Sequence, residues 1–171
     1  ALTLVSKLGR STTGLGYAIC GSELLLGPVV PSNTARGGGI MSPIVQSVAT
    51  ALDSHPHKGA RRAGDYLVLV AAHANLITAA MFLTGMAANA LVSKAAEKHL
   101  DVSFTWLDWA LAGIVPGLAG LILLPLFLRW LAKPELVDTR NAQALARESL
   151  ADLGPWSPAQ RVTAFVFVLL I

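Results

Sequence analysis

Long apolar runs alternate with short polar breaks along this chain, and the clearest run indicates a membrane-spanning helix. The segment ALAGIVPGLAGLILLPLFL, residues 110–128, contains no charged residue. As a helix it is long enough to cross about 30 Å of hydrocarbon. Trp106 and Trp109 precede it and Trp130 follows it, as in the aromatic belts at the two membrane interfaces. The pattern predicts a transmembrane helix over this segment.

A second uncharged segment, residues 66–92, carries polar residues where a lipid-facing helix would be apolar. Its stretch TGMAAN, residues 84–89, combines a glycine with two polar side chains. Unwound backbone is tolerated at membrane depth only where it lines a cavity or is buried in protein. We therefore predict a transmembrane helix that is broken near residues 84–89, with Thr84 and Asn89 as supporting residues of a site.

Residues 11–53 hold two apolar arms that are separated by PSNTARGGG, residues 31–39. Proline ends a helix, a Ser, Asn or Thr can cap the next one, and glycine releases the backbone from helical geometry. Each arm is too interrupted to be an ideal span. The pattern therefore predicts a re-entrant helical hairpin, which enters and leaves the membrane on the same side and carries Ser-Asn-Thr at its tip.

The distribution of basic residues favours this hairpin over a single span. If residues 11–53 are re-entrant, the two following helices cross and return, and most basic residues reach one face. The residues expected on this face are Lys7, Arg10, Lys58, Arg61, Arg62, Arg129, Lys133, Arg140, Arg147 and Arg161. Only Lys94 and Lys98 are expected on the other face. By the positive-inside rule, the crowded face is cytoplasmic.

These elements divide the chain into four parts. Residues 1–65 form the hairpin, and residues 66–131 form two transmembrane helices, the first of which is broken. Residues 132–161 mix charged and apolar positions, which predicts a cytoplasmic connector with an amphipathic helix. Residues 162–171 begin a further helix that is too short to span, because a span needs about 20 residues. We therefore expect the chain to be a piece of a longer protein.

Composition supports lipid as the solvent and excludes several classes of protein. Hydrophobic residues make up 54% of the chain and charged residues 13%, about half the charged share of soluble domains. The net charge of +3 is spread over loops without interleaved aromatic residues, so we expect no nucleic-acid partner. Cys20 is the single cysteine, and the four histidines do not stand at metal-ligand spacing. The sequence offers no Ser-His-Asp arrangement, so we do not expect an enzyme.

The tip of the predicted hairpin has the chemistry of an ion site. The second arm begins near Ser32, so its first backbone N–H groups and the positive end of its dipole would attract an anion. The first arm ends nearby with free carbonyl groups, which suit a cation. The side-chain oxygens of Ser32, Asn33 and Thr34 are hard ligands of the kind that sodium accepts. In the alternative interpretation, the break only caps a bent helix outside the bilayer, as in a non-transporting membrane scaffold.

Two charged residues are expected at membrane depth within the hairpin, where charge is costly and indicates function. Arg36 follows the tip and Glu23 lies in the first arm. Arg36 is a candidate ligand for the second carboxylate of a dianion, or it pairs with Glu23 and holds the hairpin shut. A third option is that Arg36 snorkels to an aqueous cavity without contacting substrate. The residue types alone leave these roles open.

Two motifs carry a resemblance to a known family. PSNTARGGGI, residues 31–40, followed by ITAAMFLTGMAAN, residues 77–89, closely resembles the divalent anion:sodium symporter (DASS) family. The similarity is nearest to its CitT-like subgroup of citrate or tartrate/succinate exchangers and plastid 2-oxoglutarate/malate translocators, and it covers essentially all 171 residues. It implies an all-α membrane protein more than twice this length. Such a carrier has two inverted repeats, each with a re-entrant hairpin, and acts as a homodimer.

The resemblance also implies roles for the residues of the two motifs. Ser32 and Asn33 would bind sodium together with backbone carbonyls of the break around Gly85. Asn33 and Thr34 would contact a carboxylate of the substrate. Arg36 is included as a candidate substrate ligand, with Glu23 supporting it.

The function implied by the resemblance is secondary active transport of di- or tricarboxylates such as succinate, malate, 2-oxoglutarate, citrate or tartrate. The break sequence MAAN, residues 86–89, replaces a proline-containing version in the sodium-symporting branch. That departure favours anion exchange, with sodium-coupled symport as the alternative and sodium as the only ion that would accompany the substrate. The expected location is a bacterial inner membrane, or alternatively the inner envelope of a plastid.

Overall fold

The computed structural model describes residues 1–169, and helices account for most of them. The α-helices of this part are α1 (Leu2–Leu8), α2 (Thr12–Leu26), α3 (Ser42–Ala51), α4 (Gly64–Met81), α5 (Ala87–Leu100), α6 (Trp106–Ala132), α7 (Arg140–Asp152) and α8 (Pro158–Leu169). A π-helix over Ala35–Met41 leads into α3, and short 3₁₀ turns occupy Ala60–Arg62 and Leu83–Gly85. The predicted all-α class is confirmed.

Helices α4 and α6 are long and apolar enough to cross a membrane. Helix α6 extends over 27 residues and includes the whole predicted span at 110–128. Its start is fixed by a capping box, in which the Thr105 hydroxyl accepts from the Asp108 N–H at 3.2 Å and the Asp108 carboxylate accepts from the Thr105 N–H at 3.0 Å. The helix continues through Pro116 and Pro125 and ends at Lys133, whose backbone is left-handed.

Helix α4 is shorter than the segment 66–92 from which it was predicted. It ends at Met81, and α5 begins at Ala87. Phe82 and Met86 have extended backbones on either side of the 3₁₀ turn. The interruption therefore lies at residues 82–86, slightly before the predicted position at 84–89.

Helix α4 is the centre of the bundle and packs between α2 and α6. Its Tyr66 hydroxyl donates to the Pro125 carbonyl of α6 at 3.2 Å. An ideal Cβ on Gly16 of α2 would lie 2.2 Å from the same hydroxyl oxygen, so the three helices meet here because residue 16 has no side chain. Leu15, Val70 and neighbouring residues bury the rest of this contact.

The connector after α6 folds back onto the end of the bundle where α2 and α4 begin. The Thr139 hydroxyl donates to the Gly9 carbonyl at 2.8 Å, and the Leu136 N–H donates to the Arg62 carbonyl at 3.0 Å. Asp138 accepts hydrogen bonds from Arg140, which lower the pKa of its carboxyl group. Helix α7 then lies against α1. This end of the bundle thus collects the termini of several helices together with basic residues such as Arg62 and Arg140.

The outer face of α6 is apolar and exposed. Of the most hydrophobic 18-residue stretch of α6, only 22% is buried within the described residues. Its exposed large side chains include Leu107, Leu111, Val115, Ile122, Leu123, Phe127 and Trp130. Apolar exposure on this scale is typical of a surface that lipid or another protein segment covers.

Candidate functional site

The tip between α2 and the second arm exposes the start of a helix. The Ser32 hydroxyl accepts from the Ala35 N–H at 3.2 Å, and the Ser32 carbonyl accepts from the Arg36 N–H at 3.0 Å. Ser32 is therefore the N-cap, and Asn33 and Thr34 are the first two residues of the arm. Their two N–H groups have no partner among the described residues. This geometry suits an anion.

The side chains of the tip are partly or fully exposed within the described residues. Thr34 is exposed, and Ser32 and Asn33 are half-buried. Within residues 1–169, neither the Asn33 amide nor the Thr34 hydroxyl makes a hydrogen bond to the protein. Both are thus available to a ligand, and the Ser32 hydroxyl oxygen keeps a free lone pair.

Below the tip, Arg36 and Glu23 form an ion pair that joins the two arms. Arg36 Nε lies 2.7 Å from Glu23 Oε2, and neither side chain is exposed to solvent. Arg36 Nη1 donates to the Val30 carbonyl at 3.1 Å, where the first arm ends. The guanidinium of the second arm therefore holds the first arm at two points, at Glu23 in α2 and at the end of the arm. Because it is fully buried, the option that Arg36 snorkels to an aqueous cavity is wrong for this structure.

Two residues of α4 complete this cluster. The Asn75 amide nitrogen lies 3.3 and 3.2 Å from the two Glu23 carboxylate oxygens and donates to the Asn33 carbonyl at 3.2 Å. The Thr78 hydroxyl accepts from Arg36 Nη2 at 3.1 Å. We call this cluster the tip network; its members are Glu23, Arg36, Asn75 and Thr78.

Asn75 and Thr78 were not predicted as site residues. The available signal was their position: two polar residues three apart in the otherwise apolar last part of α4, residues 74–81, and hence on one face. Gly37 supplies a further reason for the contact, because an ideal Cβ there would lie 3.2 Å from Asn75 Cγ. A side chain at position 37 would push the second arm away from α4.

The interruption between α4 and α5 is closed by its own polar residues. The Asn89 amide donates to the Ala79 carbonyl at 2.7 Å and to the Phe82 carbonyl at 2.8 Å. The Thr84 hydroxyl accepts from the indole N–H of Trp106 at 3.1 Å. Gly85 is buried, and an ideal Cβ would lie 2.5 Å from the Ala79 carbonyl oxygen, so a side chain has no space here. A cation ligand at the Gly85 carbonyl stays a prediction.

The tip and the interruption approach each other through Gly27 and Phe82. An ideal Cβ on Gly27 would lie 2.9 Å from the Phe82 ring. Since Gly27 directly follows α2 and Phe82 directly follows α4, the ends of both helices face the same region. The ring of Trp106 stacks on Phe82 at a centroid distance of 5.9 Å and covers the other side.

The register of α4 against α6 places the tip network near the middle of the long helix. An ideal Cβ on Gly120 would lie 3.3 Å from Ile77 Cδ1. Gly120 lies near the centre of α6, and Ile77 lies between Asn75 and Thr78 in α4. The buried ion pair is therefore level with the centre of the helix that is best suited to cross a membrane.

The arrangement offers oxygen and N–H groups rather than a transition-metal site. Within residues 1–169, no group of three or more His, Cys, Asp or Glu side chains could hold a metal ion. A carboxylate fits the N–H groups of Asn33 and Thr34, and hydroxyl and carbonyl oxygens nearby are the donors that a sodium ion accepts.

Comparison with known proteins agrees with the resemblance found in the motifs. Residues 1–171 match the family described as "Sodium:sulfate symporter transmembrane region". The inner membrane protein YbhI of Escherichia coli K12 is 41% identical over 169 residues, covering 99% of this chain and 35% of the relative. Dicarboxylate transporter 1, chloroplastic, of Spinacia oleracea is 38% identical over 172 residues, covering 100% and 30%.

A third relative carries a more specific name. The L-tartrate/succinate antiporter of Escherichia coli UTI89 is 36% identical over 157 residues, covering 91% of this chain and 32% of the antiporter. The chain thus spans about a third of the length of these curated relatives. The predicted resemblance to this family is confirmed.

Proposed function

Since the chain belongs to the sodium:sulfate symporter family, we propose that it is part of a membrane carrier that moves di- or tricarboxylates by anion exchange. The family is described as a symporter family, and two of the three relatives are named as transporters, which favours transport over catalysis. The names of two relatives, a dicarboxylate transporter and a tartrate/succinate antiporter, support the substrate class. The shared chemistry of these substrates is two or more carboxylates on a short carbon chain.

The observation that carries the proposal is the open helix start at the tip. The N–H groups of Asn33 and Thr34, which have no partner among the described residues, can bind a carboxylate together with their accessible side chains and without a basic residue. Such a site releases its ligand more readily than a buried arginine would, because hydrogen bonds to neutral groups are weaker than charge-assisted ones. Reversible release on the opposite side is what a carrier requires.

The finer architecture follows from the same geometry as a proposal. We infer that residues 1–65 form a re-entrant hairpin, with residues 66–131 as a broken and an intact transmembrane helix, 132–161 as a cytoplasmic connector and 162–171 as the start of a further span. The level of the ion pair near the centre of α6 supports a tip inside the bilayer. An inverted second repeat, outside this chain, would supply the other half of the site, and the carrier would be a homodimer in a bacterial inner membrane.

Sodium-coupled symport is the second candidate, and the description of the family favours it. Ser32, Asn33 and the Gly85 carbonyl would then share a sodium ion beside the substrate. The absence of a proline from residues 86–89 favours exchange. In both cases the tip binds the anion in the same way.

The test uses the full-length carrier in proteoliposomes that contain unlabelled succinate, with uptake of labelled succinate as the readout. We expect Asn33→Ala and Thr34→Ala to lower uptake at least about tenfold, since each removes a group that hydrogen-bonds a charged ligand. Matched controls are Asn141→Ala and Thr50→Ala, which change exposed residues away from the tip and should leave uptake unchanged.

Two outcomes contradict parts of the proposal. Normal uptake by both tip variants would remove the site assignment, and no uptake by the wild-type carrier with any di- or tricarboxylate would favour a scaffold. Repeating the wild-type measurement with and without an inward sodium gradient separates the two transport modes. Exchange is independent of that gradient, whereas symport fails without it.

A further inference from the structure

We propose that the tip network positions the binding tip and that Arg36 does not contact the substrate. The inference rests on the proposed function and assigns a role to Asn75 and Thr78, to which the motif resemblance gave none. The network lies directly beneath Asn33 and Thr34 and connects three separate segments: the first arm, the second arm and α4.

The network fixes both helix ends of the tip through their backbones. Arg36 holds the Val30 carbonyl at the end of the first arm, and Asn75 holds the Asn33 carbonyl in the first turn of the second arm. The same Asn75 amide also contacts the carboxylate of Glu23. The spacing between the two ends thus depends on side chains that never reach the tip surface.

Arg36 is poorly placed to bind a substrate. Each of its three guanidinium nitrogens already donates to a protein acceptor: Nε to Glu23, Nη1 to Val30, and Nη2 to Asn75 and Thr78. Its side chain has no exposed surface. To bind a carboxylate, the guanidinium would have to leave a buried ion pair, which is strongly unfavourable because the Glu23 carboxylate would stay buried without an opposite charge.

The ion pair with Glu23 means that the charge of Arg36 is not available to attract the substrate. The Glu23 carboxylate cancels the positive charge of Arg36, so the network adds no net charge beneath the tip. The charge of a bound carboxylate would then be met by the helix start and by Asn33 and Thr34. We expect Arg36 and Glu23 to act as positioning residues. Each charge stabilises the other in the buried ion pair, and neither contacts the substrate.

A neutral double variant separates the two roles of Arg36. In the full-length carrier, Arg36→Gln and Glu23→Gln each leave one buried charge unpaired, and we expect each to reduce uptake at least about tenfold. The double variant Glu23→Gln/Arg36→Gln removes both charges and keeps hydrogen-bonding groups. We expect its KM for succinate to return to within about threefold of wild type, since only the pairing mattered.

Direct binding by Arg36 predicts a different result. A double variant that elutes as a folded carrier but keeps the uptake defect of Arg36→Gln would overturn the proposal, because the lost guanidinium would then be a substrate ligand. Wild-type uptake in the same vesicles is measured first. Its absence would refute the proposed function, whereas wild-type uptake with a folded, inactive double variant would refute only the positioning role.

Variants of α4 provide a second test that does not depend on the folding of the double variant. Thr78→Ser keeps the hydroxyl and should behave as wild type, whereas Thr78→Val loses it. Asn75→Ala loses the bond to the Asn33 carbonyl. We expect Thr78→Val and Asn75→Ala to raise the KM about five- to tenfold while the maximal rate per folded carrier changes less than twofold. If both variants leave the KM unchanged, the network does not position the tip and the proposal fails.

Discussion

At the scale of single residues, Asn89 closes the interruption between α4 and α5. Its amide donates to the Ala79 carbonyl, which a helix ending at Met81 leaves without an intrahelical donor, and to the Phe82 carbonyl, which also accepts from the Gly85 N–H. The side chain is buried, so water cannot readily replace it. One amide thereby allows a helix to end inside an apolar bundle without leaving the Ala79 carbonyl unpaired.

Replacement of Asn89 should therefore destabilise the fold. We expect Asn89→Ala to lower the free energy of unfolding by about 1 to 3 kcal/mol, the usual cost of leaving buried polar groups unpaired. The measurement is thermal unfolding of the purified full-length carrier in detergent. Lys94→Ala, at an exposed position of the same helix, serves as the control and should unfold with the wild type. Equal melting of Asn89→Ala and wild type would show that the amide does not support the break.

The sequence was informative about single residues where a motif carried the information. Ser32, Asn33 and Thr34 were identified from their letters and from the proline before them, and the structure places them at an open helix start. Asn75 and Thr78 were not identified as part of the cluster, because their role depends on which face of α4 meets the second arm. That register is set by packing at Gly37, which the pattern of polar positions does not encode.

At the scale of elements, glycines set the approach of α4 to α6. An ideal Cβ on Gly113 would lie 2.8 Å from the Met81 carbonyl oxygen and 3.1 Å from Met81 Cα, both backbone atoms. An ideal Cβ on Gly120 meets only the end of the Ile77 side chain, at 3.3 Å. The first contact can be relieved only by moving a helix, whereas the second can be relieved by a rotamer change.

These two glycines should respond in opposite ways to the same substitution. We expect Gly113→Ala to lower the stability of the carrier by about 1 to 3 kcal/mol through overpacking. Gly120→Ala should be neutral or stabilising, since alanine is the better helix former by about 1 kcal/mol. Thermal unfolding of the two purified variants side by side provides the comparison. A Gly120→Ala variant less stable than Gly113→Ala would contradict the packing described here.

The sequence also predicted which segments form helices more accurately than it predicted where those helices end. The span at 110–128 lies within α6, because an uncharged run with flanking tryptophans leaves little choice of structure. The end of α4 was placed too late, since residues 82–92 are as apolar as those before them. What ends the helix at Met81 is the extended backbone of Phe82 and the capture of its carbonyl by Asn89, both of which depend on the folded arrangement.

At the scale of the whole molecule, one end of the bundle gathers the basic loops. The connector after α6 hydrogen-bonds to Arg62 at the start of α4 and to Gly9 at the start of α2. The loop after α3 returns to the same end, where the Ser54 hydroxyl accepts from the Gly64 N–H at 2.9 Å. The first arm of residues 11–53 thus begins, and the second arm ends, at this end of the bundle, as the proposed re-entrant hairpin requires.

Accessibility labelling can test this topology in a membrane. In a full-length carrier without native cysteines, including Cys20, single cysteines replace Lys7, Lys98 or Arg147, all of which are exposed. We expect a membrane-impermeant maleimide to label Lys7→Cys and Arg147→Cys from the cytoplasmic side only, in inside-out vesicles. Lys98→Cys should be labelled only in intact cells, since it follows the long apolar segment that crosses to the other face.

The position of Lys7→Cys decides between the two topologies. If residues 11–53 crossed the membrane once, Lys7 would lie on the side opposite the loop after α3, whereas Arg147 would share the side of that loop because α4 and α6 cross and return. With Arg147→Cys as the fixed reference, labelling of Lys7→Cys on the opposite side would rule out a hairpin. The unpaired N–H groups of Asn33 and Thr34 would then lose their enclosed position within the bilayer, and with it the physical reason to bind a carboxylate during transport.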